Sequence, residues 1–179
     1  MESVTVVPPL SRVDIEKMAF LVRDAIQCRD RPYFPVVSFL ESIPELYDPG
    51  FDYEYVEDSE LPGVYAKYNP FENKIYIQSS VYDAACKGNG RARFTIAHEL
   101  GHYFLHKQVA SYCRVTTSAD NVPAYRDAEW QANTFASYFL MPTHIICGKT
   151  AKEVANICGT SLQASEIALN RKKAKPYRA

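Results

Sequence analysis

The sequence lacks a strong excess of charge of either sign, and it lacks long apolar runs. Its 179 residues include 20 lysines and arginines against 21 aspartates and glutamates, for a formal net charge of −1. That balance argues against a protein that binds nucleic acid over its whole surface. No apolar run approaches the roughly 18 residues that cross a bilayer. The opening MESVTVVPPLSRVD, with an acid at position two and two prolines, is not typical of a secretory signal, so we expect no membrane association.

Cysteine is present but lacks the spacing of a disulfide framework or a zinc ribbon. The five cysteines are an odd number and widely separated, and no two of them form a C-x-x-C pair. This pattern is typical of reduced thiols in a cytosolic protein, so the expected compartment is the cytoplasm. We interpret all five as small buried hydrophobic residues: Cys28, Cys86, Cys113, Cys147 and Cys158.

The sequence contains enough apolar material for one folded domain. Hydrophobic residues make up 47% of the chain and charged residues 23%, as in ordinary soluble proteins. A chain of this length can bury a substantial core. Since neither an internal repeat nor a low-complexity linker is visible, we predict a single domain over residues 1–179. Within it we expect a C-terminal helical pair at 149–171 and a basic tail at 172–179.

Apolar periodicity predicts helices and short strands in the first half of the chain. Two helices are expected, at Asp14–Cys28 and, after the break RPYFP, at Pro35–Leu46. The alternation in FDYEYVED, from Phe51 onward, indicates a strand. GVYAKY and KIYIQ flank the turn-forming NPFEN and predict a hairpin over Gly63–Gln78. A short helix is expected at Ser79–Cys86.

The second half is predicted to be helical around one polar interruption. Asn89 is placed to cap a helix that carries FTIAHELGHYFLHK. A polar, irregular stretch at Gln108–Arg126 separates it from the helix DAEWQANTFASYFLMP, which ends at or just before Pro142.

Two short helices are predicted to follow, at Lys149–Cys158 and Ser161–Arg171, joined at Gly159. Thr160 and Gln163 have the spacing of a capping box for the second helix. The tail RKKAKPYRA carries five basic residues and no acidic side chain. Because basic termini are more often solvated ends than nucleic-acid sites, we do not expect direct DNA binding.

The stretch FTIAHELGHYFLHK contains the clearest chemical signal in the sequence. His98 and His102 are four residues apart, so on a helix they lie one turn apart on the same face. Two imidazole nitrogens in that arrangement can bind one zinc ion. Glu99 lies roughly 100° around the helix, where it can act as a general base without being a ligand, as in the H-E-x-x-H pattern. The alternative interpretation is a core helix whose histidines hydrogen-bond to their neighbours.

A catalytic zinc needs a third protein ligand and an open fourth position. His106 lies two turns from His98, roughly 11 Å along the helix, too far for one ion. A structural residue is the favoured interpretation, since a protonated imidazole would also suit the helix C-terminus, and the role of His106 stays open. Glu129 is the better candidate, although by itself it would indicate a solvated acid at a helix start. Asp127 and His144 are the fallback ligands.

Small and polar residues share the helix face of Glu129 and suit close packing on the motif helix: Ala132, Ala136 and Asn133, the last of which could orient a ligand.

The two segments together resemble the ImmA/IrrE-like zinc metallopeptidases of bacteria and their mobile elements. RFTIAHELGHYFLH, with EWQANTFASYFLMP beginning 27 residues after His102, keeps nearly every position of that family's F-T-x-A-H-E-x-G-H and E-x-x-A-N-x-F-A-x-x-x-L-M-P pattern. The resemblance extends through GVYAKY and KIYI upstream and AKEVANICGTSLQASEIALNR downstream. It implies an α+β fold with a zincin-like core and a small antiparallel sheet, the motif helix packing on a second ligand-bearing helix. It also implies zinc bound by His98, His102 and Glu129, with Glu99 as the catalytic base.

The resemblance also implies a function, that of a zinc-dependent endopeptidase which cleaves or inactivates a helix-turn-helix repressor of prophage, mobile-element or stress genes. Since the sequence shows no fused helix-turn-helix domain, a separately encoded regulator is the expected substrate or partner. The alternative is a non-proteolytic module that sequesters a regulator and has a structural or vestigial zinc site. Glu99 favours proteolysis, because a purely structural zinc site needs no general base.

Two further expectations concern the chemistry and the substrate. Tyr65, Tyr103 and Tyr125 are each candidates to stabilise the oxyanion of the reaction, and all three stay open. The GVYAKY strand could pair with an extended substrate by strand addition. Proline at Val64 or Ala66 should then impair cleavage while sparing zinc binding.

Overall fold

The computed structural model describes residues 3–107, 115–118 and 122–171. In these residues the chain forms an α+β arrangement of eight helices and five short strands, as the sequence predicts. The helices are α1 (Arg12–Ala25), α2 (Val36–Leu46), α3 (Ser79–Cys86), α4 (Gly90–His106), α5 (Ala128–Leu140), α6 (Thr143–Ile146), α7 (Ala151–Cys158) and α8 (Leu162–Asn170). The strands are β1 (Ser3–Val6), β2 (Asp52–Val56), β3 (Ala66–Asn69), β4 (Lys74–Gln78) and β5 (Val115–Ser118).

The larger sheet has the strand order β2–β4–β3. β3 and β4 pair antiparallel, with Ala66 opposite Ile77, which confirms the predicted hairpin. Asn73 in the connecting turn has φ of 51°, a left-handed conformation that asparagine tolerates. β2 joins the other side of β4 in parallel, with Asp52 opposite Lys74. The small sheet is therefore mixed, and its antiparallel half is the hairpin.

A second, two-stranded sheet joins the N-terminal segment to the stretch before α5. β1 pairs antiparallel with β5, Val6 lying opposite Val115, and the N–H of Val7 donates to the carbonyl of Arg126 over 2.9 Å. The expectation of an irregular stretch at 108–126 is therefore wrong at β5 and at the 3-10 turn Ala124–Arg126, whereas 108–114 and 119–121 lie outside the described residues. Each of these strands has only four residues, too few for a clear alternation, which is why the sequence pattern missed this pair.

Helix starts follow the side chains that cap them. α1 begins two residues earlier than predicted, because Ser11 and Asp14 form a capping box there. The predicted cap of α4 is confirmed, since Asn89 Oδ1 accepts hydrogen bonds from the N–H groups of Arg91 and Ala92, each over 3.0 Å. Asn89 thereby fixes where the motif helix begins.

The predicted capping box of Thr160 and Gln163 is wrong. Ser161 caps α8, its hydroxyl accepting a backbone N–H of the first turn. Thr160 is buried instead, and its hydroxyl lies 3.0 Å from that of Ser165. A capping box does form at the start of α7. Two neighbouring hydroxyl residues, Thr160 and Ser161, could each cap α8. Because Thr160 is buried, Ser161 is the residue that caps the helix.

The core lies between α1, α2, α4, α5 and one face of the three-stranded sheet. Large, fully buried apolar side chains of these elements and of the loop before α2 include the following: Ile15, Phe34, Leu40, Ile43, Ile75, Ile77, Ile96, Leu100, Phe135 and Phe139. α4 and α5 pack closely enough that a Cβ on Gly101 would lie 3.0 Å from Cα of Ala132. This close approach brings the first turn of α5 against the motif-bearing turns of α4.

Buried Arg93 ties α4 to the C-terminal helical pair. Its Nε donates to the carbonyl of Gly159 and an Nη to that of Phe34, each over 2.9 Å. The guanidinium also lies 3.7 Å from the centre of the Tyr33 ring. Gly159 has φ of 63° at the predicted junction between α7 and α8. Burial lowers the pKa of Arg93, and the carbonyls at the C-terminal end of α7 favour its cationic form.

The cysteine and membrane expectations have separate outcomes. Cys28 and Cys158 are buried, but Cys86 and Cys147 are exposed, so the interpretation of all five cysteines as buried is wrong. Cys113 and the basic tail 172–179 lie outside the described residues. None of the described helices combines the length and the apolar character that a bilayer crossing requires.

Candidate metal and catalytic site

His98 and His102 lie side by side on α4, as their spacing predicts. Their ring centroids are 4.7 Å apart, and the two Nε2 atoms are 3.0 Å apart. Both side chains are 16% exposed, so they are mostly shielded but reachable from outside. Two imidazole nitrogens thus face the same point in space.

Glu129, in the first turn of α5, directs its carboxylate at this point. Its Oε2 lies 3.1 Å from Nε2 of His98 and its Oε1 lies 3.3 Å from Nε2 of His102. Asp127 caps α5 by accepting the N–H of Glu129 over 2.9 Å, which fixes the first turn of the helix. Within the described residues His98, His102 and Glu129 form a group whose potential ligand atoms all lie within 4.8 Å of one another.

The electrostatics of the cluster favour a bound cation. The close imidazoles of His102 and His98 hold the pKa of Glu129 far below its usual range, although partial burial opposes the shift. Burial disfavours the charged form of His98, but contacts with Glu129 and Glu99 outweigh it and raise the pKa of His98. The carboxylate therefore stays ionised and draws positive charge to the site.

The spacing of the three groups fits one tetrahedral metal ion. Bonds of about 2.0–2.1 Å in tetrahedral geometry place neighbouring ligand atoms about 3.3–3.4 Å apart. The observed separations of 3.0, 3.1 and 3.3 Å between the facing atoms are close to that value. Two imidazoles and one carboxylate could therefore hold a metal with little movement and leave a fourth position toward the cleft.

Glu99 lies beside the cluster and is held by the backbone of β3. Its side chain is 8% exposed, and its Oε1 lies 4.0 Å from Nε2 of His98. Its Oε2 accepts the N–H of Tyr68 over 2.7 Å. One carboxylate oxygen is thus anchored by the sheet while the other stays close to the facing imidazoles. This orientation suits a proton acceptor next to a metal.

The cluster opens into a cleft of about 680 Å³. α4 and the start of α5 form one side, with Thr95, His98 and Glu129 among the lining residues. β3 and the loop before it form the other side and include Tyr65 and Lys67. A cleft bounded by a sheet edge and a helix has the shape to accept an extended chain.

The three tyrosine candidates occupy different places. Tyr65 is 61% exposed and lines the cleft. Tyr103 is buried on another face of α4, where its hydroxyl donates to Asp48 Oδ2 over 2.8 Å. Tyr125 lies in the 3-10 turn before α5. Of these three described residues, Tyr65 is the one that lines the cleft.

His106 contacts the cluster from behind and is not among its facing groups. Its Nδ1 lies 3.0 Å from Nδ1 of His102, and its Nε2 lies 3.0 Å from Oε1 of Gln131. Burial is the largest cause that lowers the pKa of His106 to about 4, and the neighbouring His102 and His98 act in the same direction. This position is compatible with a structural role for His106 and leaves its function open. The lowered pKa shows that burial outweighs the preference of a helix C-terminus for a protonated ring.

The fallback ligands lie apart from the facing atoms. Asp127 uses its carboxylate to cap α5. His144, in α6, lies 3.2 Å from Asp30 Oδ1 and packs edge-on against Phe20. Neither belongs to the group of potential ligands around Glu129.

Two contacts at the site escaped the sequence pattern. Gln131 is fully buried behind His106, and its place at i+2 from Glu129 falls on another helix face, so it showed no link to the motif. The N–H of Tyr68 is a backbone group and carries no sequence signature. A polar residue in the otherwise apolar face of α5 was the one signal that could have drawn attention to Gln131.

Comparison with known families gives one match, and comparison with curated proteins finds none. The Peptidase M78 family model, described as the IrrE N-terminal-like domain, matches residues 65–171. This range contains β3, β4, α3 and both helices that carry the facing side chains. Because the match spans more than half of the sequence, the chain belongs to the IrrE N-terminal-like, or M78, family of metallopeptidases, as the two motifs predict.

Proposed function

We propose that the protein is a zinc-dependent endopeptidase. The observation that carries this proposal is the convergence of His98 Nε2, His102 Nε2 and the Glu129 carboxylate, with the Glu99 carboxylate beside them. Two imidazoles with one carboxylate form a zinc donor set, whereas magnesium and calcium prefer oxygen ligands throughout. When bound there, zinc supplies Lewis acidity that activates water and polarises the scissile carbonyl.

Glu99 is the proposed general base. Its anchored Oε2 limits rotation of the carboxylate, so Oε1 is held ready to take a proton from the attacking water. The same oxygen then delivers that proton to the leaving amine. Tyr65, which lines the cleft, is the proposed hydrogen-bond donor to the oxyanion. Its exposure gives the side chain freedom to turn toward a bound peptide.

The free edge of β3 is the proposed docking strand for an extended substrate. The carbonyl of Tyr65 accepts the N–H of Gln78 over 3.0 Å, so this pair faces β4. Antiparallel alternation then directs the backbone groups of Ala66 and Tyr68 away from β4. Since the N–H of Tyr68 is bound to Glu99, the groups that remain for a peptide are the N–H and C=O of Ala66 and the C=O of Tyr68.

The proposed substrate is a helix-turn-helix repressor encoded separately from this chain. Membership of the M78 family supports a protein substrate, and the resemblance to ImmA/IrrE-like proteins supports a repressor in particular. Cleavage on the edge of β3 requires the repressor to expose an extended segment, such as a linker between domains.

The test compares Glu99→Gln with the unchanged protein in cells that also produce the regulator encoded beside its gene. We expect zinc-dependent fragments by mass spectrometry with the unchanged protein, and a loss of about 100-fold or more in cleavage with Glu99→Gln. Zinc content should stay the same, because Glu99 is not among the proposed ligands. Glu166→Gln, an exposed change on α8, is the matched control and should cleave normally.

One result would replace this proposal with sequestration of the regulator. If Glu99→Gln relieves repression fully in cells, then proteolysis is not the mechanism. The family fold would in that case serve as a binding module.

A further inference from the structure

We propose that Gln131 and His106 form a hydrogen-bond relay that sets the ring tautomer of His102. The relay would present Nε2 of His102 as a lone pair toward the facing carboxylate and imidazole. This inference rests on the proposed function in so far as His102 is a zinc ligand. It assigns positioning roles to two buried side chains that lie outside the H-E-x-x-H and Glu129 set.

The relay begins at Gln131, whose amide has one possible orientation. The side chain is fully buried, and its Nε2 donates to the carbonyl of Pro8 over 2.9 Å and to that of Tyr125 over 2.8 Å. Both partners are backbone acceptors, so the NH₂ group of the amide must face them. The oxygen Oε1 therefore points the other way, toward His106.

This orientation dictates where His106 carries its proton. Oε1 of Gln131 can only accept a hydrogen bond, so the atom 3.0 Å away, His106 Nε2, must be the donor. In a neutral imidazole the other nitrogen is then an acceptor. His106 Nδ1 thus turns a lone pair toward Nδ1 of His102, which lies 3.0 Å away.

The same reasoning fixes His102. Because His106 Nδ1 accepts, His102 Nδ1 must carry the hydrogen, and Nε2 of His102 is left with a lone pair. That lone pair faces Nε2 of His98 at 3.0 Å and Oε1 of Glu129 at 3.3 Å. A neutral ring of the opposite tautomer would put a hydrogen at this atom and block ligation.

His98 has a weaker version of the same support. Its Nδ1 lies 3.1 Å from Oδ1 of Asn133, but Asn133 is exposed, so water can replace this contact. The support behind His102 is buried along its whole length and ends on main-chain carbonyls. The two ligands should therefore differ in their dependence on the residues behind them.

A matched pair of substitutions at His106 tests the relay. Asn at this position keeps an acceptor oxygen near the place of Nδ1, whereas Gln keeps a polar group near the place of Nε2 and leaves His102 without its acceptor. We expect His106→Gln to weaken zinc binding about 10- to 100-fold, the range for lost partners of metal-ligating histidines. His106→Asn should keep most of the affinity, and Asn133→Ala should have a smaller effect than His106→Gln.

The readouts are zinc affinity, by competition with a chromophoric chelator, and ¹⁵N shifts of the His102 ring in zinc-free protein at mildly alkaline pH. The relay predicts a protonated Nδ1 and an unprotonated Nε2 in the unchanged protein, and a mixture of tautomers in His106→Gln. Equal losses of affinity in His106→Asn and His106→Gln would overturn the proposal, because His106 would then act through packing. A proton on Nε2 of His102 in the unchanged protein would overturn the proposal as well. Because the ¹⁵N measurement uses the unchanged protein, it tests the relay even if a variant fails to fold.

Neither readout depends on peptide cleavage. A protein that binds zinc through the relay but leaves every regulator intact would refute the proposed protease and keep the relay. A protein that cleaves a regulator but whose His102 tautomer and zinc affinity do not respond to substitution of His106 would support the protease and refute the relay.

Discussion

At the scale of single residues, Asp48 shows how one carboxylate can join separate parts of the chain. Its Oδ2 accepts the hydroxyl of Tyr103 over 2.8 Å and the amide of Asn73 over 3.2 Å, and it pairs with the ammonium of Lys107. These contacts link the end of α2, the turn of the hairpin and the end of α4. The hydrogen bond from Lys107 is the largest cause that lowers the pKa of Asp48 to about 2.

The lowered pKa predicts a specific dependence of stability on pH. A carboxylate with a folded-state pKa below its unfolded value of 3.8 stabilises the fold above pH 4, and that contribution is lost as pH falls toward 2. We expect Asp48→Asn to lower the free energy of unfolding by about 2 kcal/mol at pH 7 and by little near pH 2. Urea unfolding of the variant and the unchanged protein at pH 7 and near pH 2 measures this difference in free energy.

Asp52→Asn is the matched control for this experiment. Asp52 also pairs with a lysine, at 2.9 Å, but its side chain is 61% exposed, and solvent screens such pairs. If Asp52→Asn lowers the free energy of unfolding at pH 7 as much as Asp48→Asn does, then the contacts of Asp48 stabilise the fold no more than an ordinary surface ion pair.

Also at this scale, the two histidines of the candidate site could be predicted from the sequence because they belong to the same helix. The four-residue spacing of His98 and His102 becomes a distance as soon as the segment is helical. Glu129 was harder, because its position depends on how α5 packs, and the small face of that helix together with the family resemblance supplied the clue. Gln131 and the N–H of Tyr68 were beyond reach, since their partners come from distant segments.

At the scale of elements, the contact between α4 and α5 determines whether the site can assemble. Ala132 and Ala136 are fully buried in that contact, as their small size on the face of Glu129 predicts. Gly101 permits the close approach, because its missing side chain leaves room for the backbone of α5. The sequence predicted this packing, whereas it misplaced the cap of α8, where burial of Thr160 decided the outcome.

Gly101→Ala tests the contact. A helical Gly→Ala change by itself stabilises by up to about 1 kcal/mol, but the new Cβ would lie 3.0 Å from Cα and O of Ala132. Overpacking of this kind costs about 1–3 kcal/mol, so we expect a net loss of stability and weaker zinc binding as Glu129 moves from the histidines. Thermal unfolding and chelator competition measure the two effects.

A second substitution separates backbone contact from side-chain contact. Since the close atoms at position 132 belong to the main chain, adding Ala132→Gly to Gly101→Ala should not restore stability. Full rescue by the double variant would show that the side chain of Ala132 sets the spacing between the helices.

At the scale of the whole molecule, long-range pairing decides what lies around the site. The parallel addition of β2 to β4 and the pairing of β1 with β5 join segments distant in sequence, and no local pattern announces either. The second of these pairs holds the N-terminal segment near α5, where the carbonyl of Pro8 reaches Gln131. The hairpin of β3 and β4 was predictable because a single short turn connects its strands.

The free edge of β3 gives the whole-molecule prediction, because it joins the sheet, the cleft and α4. The N–H of Ala66 points away from β4, on the edge proposed to bind the peptide, whereas the N–H of Val64 is bound to the carbonyl of Leu61 in the preceding turn. Ala66→Pro therefore removes the donor proposed to bind the substrate, without removing a donor within the sheet. We expect cleavage to fall about 10-fold or more, the loss of about one buried hydrogen bond of 1–3 kcal/mol, with zinc affinity unchanged.

The same edge can be tested with the protein unaltered, once a cleaved peptide has been mapped. Main-chain pairing in a strand uses every second residue of the substrate. N-methylation along the peptide should therefore block cleavage at alternate positions and spare those between them, measured by the rate at which fragments appear. If Ala66→Pro cleaves normally and the methylated peptides show no alternation, then the substrate does not bind as a strand on β3, and side-chain contacts in the cleft must hold it instead.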